Sequence, residues 1–193
     1  MKIPVVGFDP SLKNWGVAEA ILDLDSGCLS VPVLSVIQPR ADGADKKKVR
    51  RNSIDLELAE QLADGVFAAA TKAKVIFVEV PVGSQSARAM ASYGICVGIL
   101  GSIKAKGIEI IEVSPIENKK TFTGSKSASK QLMIETALRE YPTANWPRYT
   151  RNGQSLITED KAEHMADAIA SIHAGVQTPM FQNLMRLFKV TKE

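Results

Sequence analysis

Apolar residues in five segments among the first 115 positions follow patterns that are typical of β-strands. The fourth of these segments, KVIFVEV, is almost entirely apolar, as parallel strands covered on both faces are. A tight turn at Asp25, Ser26 and Gly27 joins the second segment to the third, which predicts an antiparallel hairpin. The five predicted strands span residues 3–8, 15–27, 28–39, 74–80 and 108–115.

Other segments show the 3.6-residue period of amphipathic helices, for example at Ile54, Leu58, Leu62 and Val66. Either Ser127 or Ser129 is available to cap the third of them. Residues 142–155 break the periodicity and are predicted to form a loop, and residues 38–45 a long mobile loop. A short amphipathic turn is expected after Pro179. The predicted helices span residues 49–73, 86–107, 127–141 and 158–176.

The resulting element order is β-β-β-α-β-α-β-α-α. A meander followed by βαβ units predicts an α/β fold with one five-stranded mixed sheet, in which three strands are antiparallel and two are parallel. Helices would flank this sheet on its faces. We find no internal repeat or linker, so we expect a single domain over residues 1–193 with a C-terminal tail from about residue 178.

Composition excludes several classes of protein. The 193 residues are 45% hydrophobic, yet no apolar run approaches the roughly 20 residues of a membrane span. The two cysteines, Cys28 and Cys96, are too few for a disulfide framework or a zinc site. A predicted strand begins at residue 3 and leaves no room for a targeting segment. These features favour a cytoplasmic protein, in a bacterium or a phage-infected cell, with an organelle as the alternative.

Positive charge is concentrated in two segments, although the net charge is only +3. KKKVRR contains Lys46, Lys47, Lys48, Arg50 and Arg51. Residues 118–130 contain four lysines and no acid. Such clusters can neutralise nucleic-acid phosphates. A solvated surface segment is at least as good an interpretation of either cluster alone.

Two acids end predicted strands. Asp9 follows the first strand and Glu79 lies near the C-terminal end of the fourth, just before Pro81. If these strands are neighbours, the two carboxylates lie together and repel each other unless a cation binds between them. Oxygen ligands of this type suit Mg²⁺ or Mn²⁺. Asp9 alone could equally cap a turn, whereas an unpaired acid is rare at the end of an apolar strand.

The last predicted helix has a polar face. Asp160, Glu163, His164 and Asp167 recur every three or four residues, opposite an apolar stripe at Met165, Ile169, Ile172 and Val176. On its own, such a face is more often a solvent face than a ligand set. His173 flanks the apolar stripe and is interpreted as structural.

Four segments together resemble successive blocks of the RuvC family of Holliday junction resolvases, within the RNase H-like superfamily. They are GFDPSLKNWGVA, VIFVEVPVGSQSARAMASYGICVGIL, VSPIENKKTFTGSKSASKQLM and EHMADAIASIHA. The resemblance runs from about residue 3 to 175, in the family's order. It implies an RNase H-like fold. Family members often carry an aromatic residue shortly after the glutamate, where this chain has EVPVGSQ.

The resemblance also implies an active site. Asp9 and Glu79 match the strand acids, and His164 and Asp167 match the final-helix pair, in which histidine is a family variant. Glu163 is a further candidate ligand. These side chains would hold two Mg²⁺ or Mn²⁺ ions about 4 Å apart, which activate water and stabilise the leaving oxygen. A nearby lysine would stabilise the phosphate charge, and the sequence does not separate the candidates Lys119, Lys120, Lys126 and Lys130. Of these, Lys126 and Lys130 are assigned to catalysis. Lys119 and Lys120 match the same basic segment, which would contact DNA.

The implied activity is symmetric cleavage of four-way or branched DNA by a homodimer, leaving 5′-phosphate nicks, with no nucleotide cofactor. The resemblance places the dimer interface on the Gly/Ala-rich helix at residues 86–106, which could equally pack on its own sheet. Residues 46–51 and 141–155 are candidate DNA-contacting insertions. The alternatives are a non-catalytic junction-binding module, a superfamily nuclease that acts on RNA, and a phosphate-binding ATPase domain.

Overall fold

The central element of the fold is a five-stranded mixed sheet. The computed structural model describes residues 1–41 and 50–190, with side chains up to residue 187. The sheet has the order β3-β2-β1-β4-β5, antiparallel from β1 to β3 and parallel between β1, β4 and β5. This confirms the predicted sheet. Its strands are β1 (Lys2–Asp9), β2 (Trp15–Asp23), β3 (Val33–Ile37), β4 (Val75–Glu79) and β5 (Glu109–Val113).

Helices cover both faces of the sheet and make a three-layer α/β/α arrangement. Side chains from α1 and α2 meet Val6, Phe8, Ile76 and Val78 on one face. Side chains from α3, α4, α5 and α6 meet the opposite face, where Phe77 contributes. The helices are α1 (Arg51–Ala70), α2 (Ala87–Ala105), α3 (Pro115–Thr123), α4 (Lys130–Glu140), α5 (Glu159–Gly175) and α6 (Pro179–Val190).

The structure corrects the prediction between residues 108 and 123. The strand β5 ends at Val113, and residues 115–123 form the unpredicted helix α3. Ser114 accepts a hydrogen bond from the Glu117 backbone N–H, and the Glu117 carboxylate accepts one from the Ser114 N–H. With Pro115 in the first turn, this capping box is a strong start for a helix. Nine residues were too few to reveal a helical period.

The predicted loop at residues 142–155 is present over residues 142–147 and wrong beyond them. A second, two-stranded sheet is present, formed by β6 (Arg148–Arg151) and β7 (Gln154–Ile157). Its strands are short and mostly polar, so they lack the apolar alternation that predicts a strand. The tail after Pro179 forms a twelve-residue helix rather than a single turn. Of the two candidate caps, Ser129 is the one that caps α4.

Two predicted features lie partly or wholly outside the described residues. Lys46, Lys47 and Lys48 are outside them, as is most of the loop predicted at residues 38–45. Within the described part of the chain, no helix is long and apolar enough to cross a bilayer. Cys28 and Cys96 are both free.

Candidate active site

The two strand-end acids lie side by side on one face of the sheet. The parallel ladder of β1 and β4 ends with Phe8 opposite Val78, so Asp9 and Glu79 occupy the next position of each strand. Side chains alternate between the two faces of a strand. Phe8 and Val78 face α1 and α2, so the two carboxylates face the layer that contains α5. The first and fourth strands are therefore neighbours, as predicted, and Asp9 and Glu79 lie next to each other.

Two glycines allow α5 to lie against the sheet backbone. A Cβ atom at Gly7 would overlap the carbonyl oxygen of Ala168, and one at Gly16 would overlap that of His164. Gly16 is the cross-strand partner of Asp9. The lack of a side chain at these positions brings the polar face of α5 down to the strand-end acids.

Asp9 and His164 are in direct contact. The His164 Nδ1 atom lies 2.5 Å from Oδ2 of Asp9, and both side chains are largely buried. Burial disfavours the charged imidazole, but the hydrogen bond and the negative charge of Asp9 outweigh it and raise the pKa of His164. This nitrogen of the predicted ligand is therefore engaged by a carboxylate.

The other two predicted acids are held in an environment that disfavours their charged forms. Burial, and then the charge of Asp9, raise the pKa of Glu79 to about 7. Burial and the charges of Asp9 and Glu79 raise the pKa of Asp167 well above its usual range. The two shifts show that Asp9, Glu79 and Asp167 form one electrostatic cluster short of positive charge.

Asn118, which the sequence analysis did not select, joins this cluster from α3. Its Nδ2 atom donates a 2.6 Å hydrogen bond to Oε2 of Glu79 and lies 3.4 Å from the backbone oxygen of Asp167. The residue is fully buried, and Oδ1 has no partner among the described residues. On an amphipathic helix Asn118 and Phe122 share the buried face. A polar residue on the buried face of a helix could have identified Asn118 as a functional candidate. This signal was not recognised because α3 was not predicted.

The structure separates the four candidate lysines. Lys119 is half-buried, and its charge lowers the pKa of both Glu79 and Asp167. Lys130 Nζ forms a 2.7 Å ion pair with Glu163, the further candidate ligand. Lys120 and Lys126 are exposed. The geometry therefore favours Lys119 near the acids, whereas the resemblance selected Lys126 and Lys130 for catalysis.

The two described arginines of the KKKVRR segment lie at the start of α1. Arg51 is 3.6 Å from Asp55, which also accepts a 2.7 Å hydrogen bond from Arg88 of α2. Arg51 and Arg88 line an open cleft of about 450 Å³, together with Ser11 and Lys13. Ser11 is two residues beyond Asp9 in the sequence, but none of the predicted acids lines this cleft. Arg50 immediately precedes α1 and is exposed.

The chemistry of the acid cluster fits a hard divalent cation, although its side chains do not surround one. No group of three or more His, Cys, Asp or Glu side chains among residues 1–41 and 50–190 is arranged to enclose a metal ion. The carboxylates of Asp9, Glu79 and Asp167 are nevertheless oxygen donors of the kind that Mg²⁺ and Mn²⁺ prefer, and burial together with neighbouring negative charge raises the pKa of Glu79 and of Asp167. A cation would supply the positive charge that the cluster lacks.

Solved structures share this architecture. Thermus thermophilus RuvC in complex with a Holliday junction substrate matches with a TM-score of 0.61 at 14% identity, over 94% of this chain and 96% of that chain. The chain has the RuvC fold. A second structure of Thermus thermophilus RuvC matches with a TM-score of 0.60 at 17% identity, over 96% of this chain and 97% of that chain.

The RuvC fold extends to a eukaryotic structure. The yeast mitochondrial Holliday junction resolvase matches with a TM-score of 0.55 at 16% identity, over 95% of this chain and 85% of that chain. No family model matches the sequence, and neither does any curated protein sequence. At such low identity the shared RuvC fold is a finding about architecture, and the activity must be argued from the site.

Proposed function

We propose that this protein is a divalent-metal-dependent endonuclease that cuts four-way or branched DNA. One observation carries the proposal: Asp9, Glu79 and Asp167 converge at one sheet edge, within a fold that this chain shares over nearly its whole length with RuvC bound to a Holliday junction. A binding module without catalysis would have no need to hold Glu79 and Asp167 where burial and the charge of Asp9 raise their pKa values.

Asp9, Glu79 and Asp167 would hold the metal, with His164 as a fourth donor. Bound Mg²⁺ or Mn²⁺ would supply Lewis-acid stabilisation and a nucleophilic water. The protein's own residues set the geometry: Asn118 fixes one carboxylate oxygen of Glu79, and Asp9 orients the His164 ring. Glu163 is held by Lys130, which makes it a weaker candidate ligand. The products would be a 5′-phosphate and a 3′-hydroxyl.

Positive charge around the acids would hold the DNA strand. Lys119 acts directly on the acids, since its charge lowers the pKa of Glu79 and Asp167. Lys13, Arg51 and Arg88 line a separate cleft that begins at Ser11. Lys120, Lys126, Lys130 and Arg50 extend this basic surface. A phosphate backbone that passes the acids would be neutralised in part by these side chains.

We also propose a homodimer through α2. Ala91, Gly94, Val97, Gly98 and Gly101 form an exposed face of this helix. A Cβ atom at any of its three glycines would meet open space, so packing on the protein's own sheet does not require them. Small exposed residues allow two helices to approach closely, and a twofold dimer suits the approximate symmetry of a four-way junction.

The first test is cleavage of a labelled four-way junction with and without Mg²⁺ or Mn²⁺. We expect paired nicks from the wild type and none from Glu79→Gln, with junction binding retained by both. Glu112→Gln is the matched control, because that glutamate is exposed and lies 3.7 Å from Lys104, away from the acids. Junction binding without metal-dependent cleavage by the wild type would refute the nuclease.

A further inference from the structure

The hairpin of β6 and β7 stands apart from the main sheet. Every residue from Arg148 to Ser155 is exposed, including Tyr149 at 46%. Each strand has four residues and therefore extends about 13 Å. Asn152 and Gly153 link the strands with φ angles of 51° and 75°. Two positive φ angles in a two-residue loop are typical of a type I′ turn, which gives the hairpin a fixed twist.

The base of this hairpin is fixed to the core. The Asn145 side chain pairs with edge strand β3, accepting from Leu34 N at 2.7 Å and donating to Leu34 O at 2.8 Å. Trp146 is 6% exposed and donates from Nε1 to Tyr141 O. The Thr158 N–H donates to Pro147 O at 2.9 Å and closes the stem. A rooted stem with an exposed tip is a preorganised arm.

The arm begins on the active-site side of the sheet. Along α5, Ala168 lies over Gly7 and His164 lies over Gly16, beside Asp9. From Ala168 back to its first residue, α5 therefore extends past the carboxyl end of β1. Glu159 begins α5 five residues before His164, about 7.5 Å farther out. The stem is attached just before that point, at Ile157 and Thr158.

The arm carries uncompensated positive charge. No acid is present between Tyr141 and Thr158. Neither Arg148 nor Arg151 has an ion-pair partner among residues 1–41 and 50–187. The cross-strand pairs Tyr149–Leu156 and Arg151–Gln154 share one face, whereas Arg148 shares the other with Ile157. The two arginines thus point to opposite faces and can reach phosphates on both sides of a groove.

We propose that the hairpin Arg148–Ile157 is an arm that lies in a groove of a DNA duplex adjoining the cut strand, with Arg148 and Arg151 on its phosphates. The inference rests on the proposed function for the identity of the nucleic acid. A two-stranded ribbon has the width of the DNA major groove. Tyr149 and Gln154 add groups that can contact base edges. An arm rooted beside the acids would fix the direction in which a duplex leaves the site.

The test measures junction binding in EDTA, where cleavage does not occur, as a function of salt. The slope of log K against log salt is negative, and each phosphate contact contributes roughly 0.9 to its magnitude. Removing two phosphate contacts should therefore reduce the magnitude of the slope by about 2. We expect this loss in Arg148→Gln/Arg151→Gln and its recovery in Arg148→Lys/Arg151→Lys. Lys2→Gln/Lys74→Gln is the matched control, since it removes the same charge at the opposite edge of the sheet, where β1 and β4 begin.

Each outcome has a separate meaning. An unchanged slope in the arginine-to-glutamine variant overturns the arm, as does an equal loss in the Lys2/Lys74 control. A slope change on duplex RNA alone also overturns it. Cleavage of the junction by the wild type in Mg²⁺ is scored independently. Cleavage with an unchanged slope refutes the arm alone, and arginine-dependent binding without cleavage refutes the nuclease alone.

Discussion

The Asn118 side-chain amide donates a 2.6 Å hydrogen bond to Glu79 from the fully buried side of α3. It therefore fixes one oxygen of the acid that ends β4. Ser171 of α5 connects the same network to the sheet, because its hydroxyl oxygen lies 3.4 Å from Nδ2 of Asn118 and 3.2 Å from the carbonyl oxygen of Phe8. Groups that orient metal ligands from behind typically affect metal affinity or activity by about 10- to 100-fold.

We expect Asn118→Leu to weaken Mn²⁺ binding and to raise the Mg²⁺ concentration that gives half-maximal cleavage, by about 10-fold or more. Calorimetric Mn²⁺ titration measures the binding in the absence of DNA. Thr136→Val is the control, since Thr136 is another buried polar residue, on α4. An equal loss of folding stability in both variants with unchanged Mn²⁺ affinity would show that Asn118 is only structural.

Glu79 should make the metal-free protein less stable at alkaline pH. Its pKa is raised from the ordinary 4.5 to about 7, so the folded state favours the protonated acid. This contribution is complete below pH 4.5 and is lost as pH rises through 7, with a total of up to about 3 kcal/mol. We expect Glu79→Gln to unfold at higher urea than the wild type at pH 8 in EDTA.

We expect the same experiment with Mn²⁺ to give the opposite order of unfolding midpoints. The metal should raise the unfolding midpoint of the wild type at pH 8 and leave Glu79→Gln nearly unchanged, because a cation that binds only the folded state stabilises it. Glu112→Gln should follow the wild type in both conditions. Identical pH profiles for Glu79→Gln and the wild type would contradict the raised pKa.

The lysines near the acids should differ in their effect on cleavage. Lys119 lowers the pKa of two carboxylates, so Lys119→Gln should reduce the cleavage rate more than Lys126→Gln. Single-turnover cleavage at saturating protein measures this without the effect on binding. A larger loss in Lys126→Gln would instead support the catalytic lysine implied by the family resemblance.

Gly98 offers a test of the dimer. Gly98→Arg places a large charged side chain where a Cβ atom meets open space, so the monomer should fold normally while the α2 interface is lost. Sedimentation should show a monomer, and the two nicks on a junction should become uncoupled. Leu56→Arg, at a residue 71% exposed on α1, is the control. Unchanged sedimentation of Gly98→Arg would place any dimer interface elsewhere.

The sheet and the strand-end acids could be predicted because they depend on strong local patterns. Continuous apolar runs gave β1 and β4, and the meander-then-βαβ order made Asp9 and Glu79 neighbours. The polar face of α5 was visible in the spacing of His164 and Asp167. Its position over β1 was not, since it depends on backbone contact at Gly7 and Gly16 that leaves no periodic signal.

Short elements escaped prediction for a different physical reason. The strands β6 and β7 are held by a turn and by hydrogen bonds at the base of the hairpin rather than by an apolar face. Hydrophobic periodicity therefore could not predict them. Asn152-Gly153 was the signal that could have identified the hairpin. Asn118 required α3 to be recognised first, from its Ser114 and Glu117 caps.

The alternation of side chains along β1 and β4 limits how these strands can change in length. Deleting or inserting one residue ahead of Asp9 or Glu79 within its strand would turn the carboxylate toward α1 and α2, where Phe8 and Val78 now pack. A charge would enter an apolar layer while an aromatic or aliphatic side chain replaced it beneath α5. Changes of two residues would preserve the facing. Insertions and deletions in this protein should therefore be confined to its loops and hairpin. The faces toward which the side chains of β1 and β4 point would then remain unchanged.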